Sequence, residues 1–350
     1  MKAVVVEPRQ PRTARVVELP DPVPALHEVR VRVLEVGICG TDAEINDGLY
    51  GKAPEGEPFL VLGHEGLGQL PTGELVVPIV RRPCPTCANC RTGAQDMCST
   101  GTFTERGIKG IHGMMSEVIV DDPRYLVKVP DHARGYAVLT EPMSVVAKAL
   151  RQAQLIQRRL IWNAPGRALV LGAGPLGLLA TLALRAQGWS VVTMARKPRG
   201  TAKASIVETV GAKYVSSADV PTSKLPECEP PFDLVVEATG NAECAFDALH
   251  ALAVNGVLCM TSITAGSFMK SLPIDRINYD VVLGNKLIFG TVNAHRQDFV
   301  DGLAQMERIE QDYPGMLGRL LTDSISFNQV GRMFSRHEAG IKTVLQLAKS

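Results

Sequence analysis

The sequence predicts an α/β chain of two domains, one β-rich and one built on a doubly wound parallel sheet. Three observations predict this. The chain has 350 residues, too many for one ordinary core. Its first part is dense in short strand-like runs punctuated by Gly and Pro, as in an all-β or barrel-like domain. Its middle part alternates apolar strands with helical patterns, which means βαβ units and a parallel sheet.

In the first part the strand-like runs are Lys2–Glu7, Val29–Val36, Leu75–Val80 and Glu117–Val120. In the middle part Ala168–Leu171 leads into a helix through Ala186. Val191–Met194 and a helical stretch near Ala204–Val210 follow, then strands at Leu234–Ala238, Val257–Thr261 and Leu287–Phe289. The last part is mixed, too short to be a domain of its own, and is expected to pack back on the first. The expected division is therefore 1–148 with 294–350 as one discontinuous domain, and 149–293 as the other.

Composition narrows the function. The hydrophobic fraction is 45% and the mean hydropathy +0.07, typical of a globular enzyme. Lys+Arg 37 against Asp+Glu 36 gives no electrostatic reason to expect nucleic acid or an anionic membrane as partner. The N-terminal run lacks an apolar signal core, and no run is long enough to span a bilayer, so a cytoplasmic location is expected. Neither repeats nor low-complexity tracts are present.

Cys84, Cys87, Cys90 and Cys98 form a C-x2-C-x2-C-x7-C run. Four thiolates so close together suit one tetrahedral ion, usually zinc, with no open position, so the site reads as structural. The turn-rich surroundings (Pro83, Pro85, Asn89, Gly93) argue against any helix or long strand there. Disulfides are the competing reading; Cys39, Cys228, Cys244 and Cys259 are scattered and form no framework.

Gly172-Ala173-Gly174-Pro175-Leu176-Gly177 lies between a strand and an apolar helix, the context in which G-x-G-x-x-G binds a dinucleotide. The helix N-terminus offers N–H groups to the pyrophosphate. An acid at the end of the second strand would hold the ribose 2′-hydroxyl of NAD. Here that strand runs into Ala195-Arg196-Lys197-Pro198-Arg199. Cations in place of an acid favour the 2′-phosphate of NADP, with NAD still possible.

Cys39 in Gly37–Asp42 and His64 in Gly63-His64-Glu65 have zinc chemistry and stand among glycines just after strands. Glu65 can ligate beside His64 only if the chain turns there, because neighbouring strand side chains diverge. Glu141, opening a helix at Thr140-Glu141-Pro142, could complete the set. Cys, His and carboxylate with one position open is a catalytic type of site.

These motifs, in this order and spacing, resemble the zinc-dependent medium-chain alcohol and polyol dehydrogenase superfamily along nearly the whole chain. Within it the chain most resembles the archaeal-type glucose 1-dehydrogenases. Arg81-Arg82-Pro83, Thr100–Ile108, His112–Glu117 and Gly290-Thr291-Val292-Asn293 carry that finer likeness. The resemblance implies a Rossmann domain and a GroES-like β-rich catalytic domain with a structural zinc lobe. It implies a catalytic zinc on Cys39, His64 and Glu65, with Glu141 a fourth or water-mediated ligand. Thr41 would sit beside the substrate oxygen and, with Glu65 and Glu141, take part in catalysis; Glu141, Glu105 and Asn293 would also contact the sugar.

For the cofactor, the resemblance implies Gly172, Gly174, Pro175, Leu176, Gly177, Ala195, Arg196 and Lys197. It adds Ala238-Thr239-Gly240, Thr291, Val292 and Asn293, with Lys342 and Arg336 reaching the phosphates. Two zinc ions per chain and a homo-oligomer, dimer or tetramer, follow from the same likeness. Val80 and Leu283-Gly284 stand where some relatives carry Asn and His, changes that would shift sugar preference. The expected reaction is zinc-assisted, NADP-preferring oxidation of D-glucose, or another aldose, at C1. The alternative is a polyol or secondary-alcohol dehydrogenase of sorbitol or threonine type. Cys39, His64 and the four cysteines disfavour a zinc-free quinone reductase, and the intact ligand set disfavours a non-enzymatic relic.

Overall fold

The computed structural model describes all residues except 161–164, 265–266, 335–339 and 348–350. The chain forms two compact units. The first comprises Met1–Ser144, Asn293–Glu307 and Leu317–Ser350; the second comprises Val145–Val292 and Arg308–Met316. The boundaries expected after 148 and 293 fall after 144 and 292, and 308–316, expected in the first domain, clusters with the second unit. Among the described residues no helix is long and apolar enough to cross a membrane.

The first unit is built around strand Val29–Gly37, whose opening Val-Arg-Val-Arg-Val alternates on the two-residue period of a half-buried strand. Val31 and Val33 are buried while Arg30 and Arg32 face outward. Antiparallel partners flank this strand: Glu65–Gln69 on one side, and Val118–Asp121 and Lys342–Gln346 on the other. Leu75–Pro78 and Leu126–Val129 extend the sheet beyond Glu65–Gln69, and Leu321–Ile325 extends it beyond Lys342–Gln346. The C-terminal part thus packs back on the first as a sheet strand. Register sets Glu65 opposite Gly37. A Cβ at Gly37 would lie 2.5 Å from Glu65 Oε2, so only glycine leaves room for that carboxylate.

The second unit carries six parallel strands in spatial order Lys213–Ser216, Ser190–Ala195, Arg167–Leu171, Phe232–Glu237, Leu252–Met260, Leu287–Gly290. Numbered along the chain this is 3-2-1-4-5-6, the doubly wound order of a Rossmann sheet. Arg167–Leu171 is buried from Ala168 onward, as expected of a strand covered on both faces. Helix Pro175–Ala186 is buried along most of its length, apart from its first two residues and Arg185. The third strand, Lys213–Ser216, was not foreseen: Lys-Tyr-Val-Ser has neither an apolar run nor clean alternation.

Candidate active site

The four-cysteine lobe departs from expectation in one respect. It contains a short helix, Ala88–Arg91, and a 3-10 turn, Gln95–Met97. The cysteine itself starts the helix, because Cys87 Sγ accepts from the N–H of Cys90 at 3.4 Å. Cys90 Sγ and Cys84 Sγ accept likewise from the N–H groups of Cys84 and Cys87, at 3.3 and 3.4 Å. All eight cysteines are free. The four donor atoms of the lobe lie within 4.8 Å of one another. Cys87 and Cys98 sulfurs stand 3.9 Å apart, far beyond a disulfide. Ligands about 2.3 Å from a shared zinc would stand about 3.8 Å apart, so the residues fit the ion. A hydrogen bond from the Thr100 hydroxyl, helped by backbone N–H groups, pulls the Cys84 thiol down to about 5. Burial pushes Cys90 up to about 12. A cation would remove that split by favouring thiolate throughout.

Cys39, His64 and Glu65 each bring a donor atom within 4.8 Å of the others. Cys39 stands at the N-cap of helix Gly40–Asn46, and its N–H donates to Asp42 Oδ2 at 2.9 Å. The chain bends at His64 before strand Glu65–Gln69 begins, which supplies the turn that lets neighbours converge. His64 Nδ1 faces Asp42 Oδ1 at 3.5 Å, leaving the other ring nitrogen for a metal. Burial alone would lower the His64 pKa. The fully buried Asp42 carboxylate outweighs it and holds the imidazole well above its ordinary value. Anionic Asp42 and the Cys39 thiol therefore call for positive charge at this spot, as a proton or as a cation. Thiolate, imidazole and carboxylate are the donor set of zinc.

Lys342, expected at cofactor phosphates, is found here. It is buried, and its Nζ donates to Glu65 Oε2 and to the carbonyl of Ile38, the latter at 3.2 Å. Burial would lower its pKa, but Glu65, Cys39 and Glu141 hold it above the usual lysine value. Glu141 opens helix Thr140–Gln157 and lies outside the 4.8 Å cluster. Burial raises it to about 7, against the pull of His64 and with help from Glu65. The Thr41 hydroxyl lies 3.8 Å from Cys39 Sγ.

Strands Arg81–Arg82 and Thr104–Arg106 pair antiparallel with Arg81 opposite Glu105. Glu105 Oε1 accepts from Arg81 Nε and Nη2 at 3.0 and 2.9 Å, and from Asn293 Nδ2 at 2.8 Å. Asn293, at φ 60°, is thereby brought to Glu105.

In the second unit the fingerprint turns where expected. Gly172 has φ 103°, and a Cβ on Gly177 would meet its carbonyl oxygen at 2.0 Å. Gly174 caps helix Pro175–Ala186, with Pro175 and Leu176 in its first turn. Ala238 N donates to Leu171 O at 2.9 Å, across the point where strand order reverses. Buried Glu237 holds the following turn: Oε1 accepts from the N–H and hydroxyl of Thr239, both at 2.6 Å, and from Gly240 N at 3.2 Å. Arg196 and Lys197 are exposed just past strand Ser190–Ala195. Thr291 N bonds Met260 O at 3.0 Å, and Val292 O accepts from Lys148 Nζ at 3.0 Å. Arg336 lies outside the described residues.

Three contributors were not assigned from sequence. Asp42 sits three residues after the Cys39 N-cap, the spacing of a capping box, and that signal was available. Arg81 was noted only as part of a motif. Lys203 joins the basic turn: burial first, then Lys197 and Arg196 nearby, lower its pKa. Nothing in a lone helical lysine signals this.

Comparison with known proteins came to one family. Residues 134–347 match the model described as glucose dehydrogenase C-terminus, and 25–131 the alcohol dehydrogenase GroES-like domain. The chain is 40% identical to a glucose 1-dehydrogenase of Methanocella arvoryzae, with 99% of each covered. It is 33% identical to Haloferax mediterranei glucose dehydrogenase, whose structure in complex with NADP, zinc and gluconolactone matches with TM-score 0.93 over the whole of both chains. Galactitol-1-phosphate dehydrogenase from Escherichia coli, 21% identical with TM-score 0.79 over 99% of this chain and 100% of that one, shares the fold.

Proposed function

The chain belongs to the glucose 1-dehydrogenases of the zinc-dependent medium-chain dehydrogenase superfamily, and from this we propose that it oxidises D-glucose at C1 to gluconolactone with NADP as preferred acceptor. The observation that carries the proposal is a zinc-type donor trio, Cys39, His64 and Glu65, in the same unit as a buried carboxylate, Glu105, one oxygen of which accepts no hydrogen bond among the described residues. Zinc would supply a Lewis acid that lowers the pKa of a bound hydroxyl, and NADP the site that takes the hydride.

The reaction removes a hydride from C1 and a proton from the anomeric hydroxyl, and the chain's own groups must manage the proton. The Thr41 hydroxyl, 3.8 Å from Cys39 Sγ, would pass it to solvent. Glu141, the buried carboxylate that opens helix Thr140–Gln157, would be the nearby group to share in that transfer. Asp42, 3.5 Å from His64 Nδ1, would orient the imidazole by charge, and Lys342 would hold the Glu65 carboxylate it pairs with. Glu105 and Asn293 would hold sugar hydroxyls. Buried polar groups of this kind reject substrates that lack the matching hydroxyl far better than an apolar pocket could.

Arg196, Lys197 and Lys203 would receive the 2′-phosphate of NADP. We place the protein in the cytoplasm as a homo-oligomer; Leu287 and Ile288, exposed on the outermost strand of the parallel sheet, support subunit pairing there. A panel of aldoses and polyols assayed with NADP tests the assignment. Preference for glucose over sorbitol-type polyols is expected, and the reverse order would replace it with the polyol reading.

A further inference from the structure

The four-cysteine lobe and the carboxylate Glu105 are joined by one side chain. Arg81 is buried, and its guanidinium has two destinations. Nε and Nη2 both donate to Glu105 Oε1, while Nη1 donates at 3.1 Å to the carbonyl oxygen of Asp96. Asp96 belongs to the 3-10 turn Gln95–Met97 that is capped by Cys98, the last cysteine of the lobe. The Phe103 ring lies under the guanidinium, 3.7 Å from Cζ to the centroid. With Asn293 Nδ2 added, Oε1 accepts three N–H bonds, and among the described residues Oε2 accepts none. A carboxylate held this way has one oxygen saturated and the other left to accept a further donor. Asp96 also lies near the chain segment that carries Asn293, the second support of Glu105. Its carboxylate, the His295 ring and Asp298 cluster within 4.8 Å, two and five residues beyond Asn293.

We propose that Arg81 is a positioning residue through which the cysteine lobe sets the direction of Glu105 toward the sugar. This rests on the glucose-oxidising reading above. The lobe then has a function beyond stability: its shape decides sugar affinity. A five-donor planar fork is needed, because lysine cannot hold Oε1 and the Asp96 carbonyl together.

The test uses the zinc-loaded enzyme with NADP. Arg81→Gln should raise KM for glucose about ten- to a hundredfold, since a buried carboxylate loses its charged partner. Its kcat should stay within about threefold and KM for NADP should not move. Calorimetric affinity for gluconolactone should fall by the same factor as KM rises. Arg81→Lys should recover part of that loss.

Asn89→Ala probes the lobe without touching a cysteine or the pocket. The Asn89 side chain is exposed and braces the 3-10 turn through the Met97 carbonyl at 2.6 Å. Its loss should raise KM for glucose about two- to fivefold, with zinc content unchanged. Unchanged gluconolactone affinity in Arg81→Gln, or kcat and KM failing together, overturns the proposal. A response in Arg81→Gln with none in Asn89→Ala overturns the link to the lobe. If the wild type instead prefers another polyhydroxy substrate, the glucose reading fails, and the same affinity loss for that substrate still upholds Arg81.

Discussion

The two units build their sites in opposite ways. The second presents backbone: a glycine turn, a helix N-terminus and the Ala238–Gly240 turn held by Glu237, with a few exposed cations at one strand end. The first brings together polar and ionisable side chains from positions as far apart as Cys39, His64, Glu141 and Lys342, the last three of them buried. Where backbone does the binding, a side-chain substitution has a graded effect. Where buried charges compensate one another, removing one leaves the rest unpaired. The contrast therefore predicts abrupt losses in the first unit and gradual ones in the second.

The sharpest test is Cys39→Ala. Turnover should fall by at least about a thousandfold, a barrier increase of about 4 kcal/mol, while the melting temperature holds and zinc drops from two ions to one. Retained activity would remove the assignment of this metal site and much of the contrast with it. Lys342→Met comes next. In zinc-stripped protein it strands the buried Glu65 carboxylate, and breaking a buried pair from one side costs about 3–5 kcal/mol. Denaturant unfolding should show that loss. A stability change below about 1 kcal/mol, the scale of an exposed pair, would mean the pair is solvated and the first unit no different from the second. Thr41→Val should lower kcat about ten- to a hundredfold with little change in KM, as expected for a lost proton relay. An equal rise in KM would make Thr41 a binding group only.

The same contrast explains what could be read from the sequence. The parallel sheet and its fingerprint were legible because strand, glycines and helix are contiguous, and local periodicity reports them. Strand Lys213–Ser216 was not, since it is defined by pairing with Ser190–Ala195 more than by its own pattern. In the first unit the ligand types were legible and their company was not. The Lys342 partnership spans 277 residues and depends on strand Lys342–Gln346 pairing with Val29–Gly37 opposite Glu65–Gln69. No local signal encodes that register. The lobe helix Ala88–Arg91 was obscured for another reason: sulfur acts as its cap, which composition-based reading treats only as a metal ligand.

The smallest effect expected is at Arg196, and its smallness is what the contrast requires. The 2′-phosphate of NADP carries a charge near −2, and on the proposed reading Arg196 would meet it with Lys197 exposed beside it and Lys203 close behind. Arg196 and Lys197 are exposed, so their interactions with a phosphate would be screened. Arg196→Ala should raise KM for NADP about tenfold, worth about 1.4 kcal/mol, and leave KM for NAD within about twofold. Lys197→Ala on top of it should add a further, similar factor instead of abolishing binding, and added salt should narrow the gap between wild type and both variants. Equal effects on NADP and NAD would refute the phosphate reading. An all-or-none loss at Arg196 would show that the second unit, too, relies on a single indispensable charge.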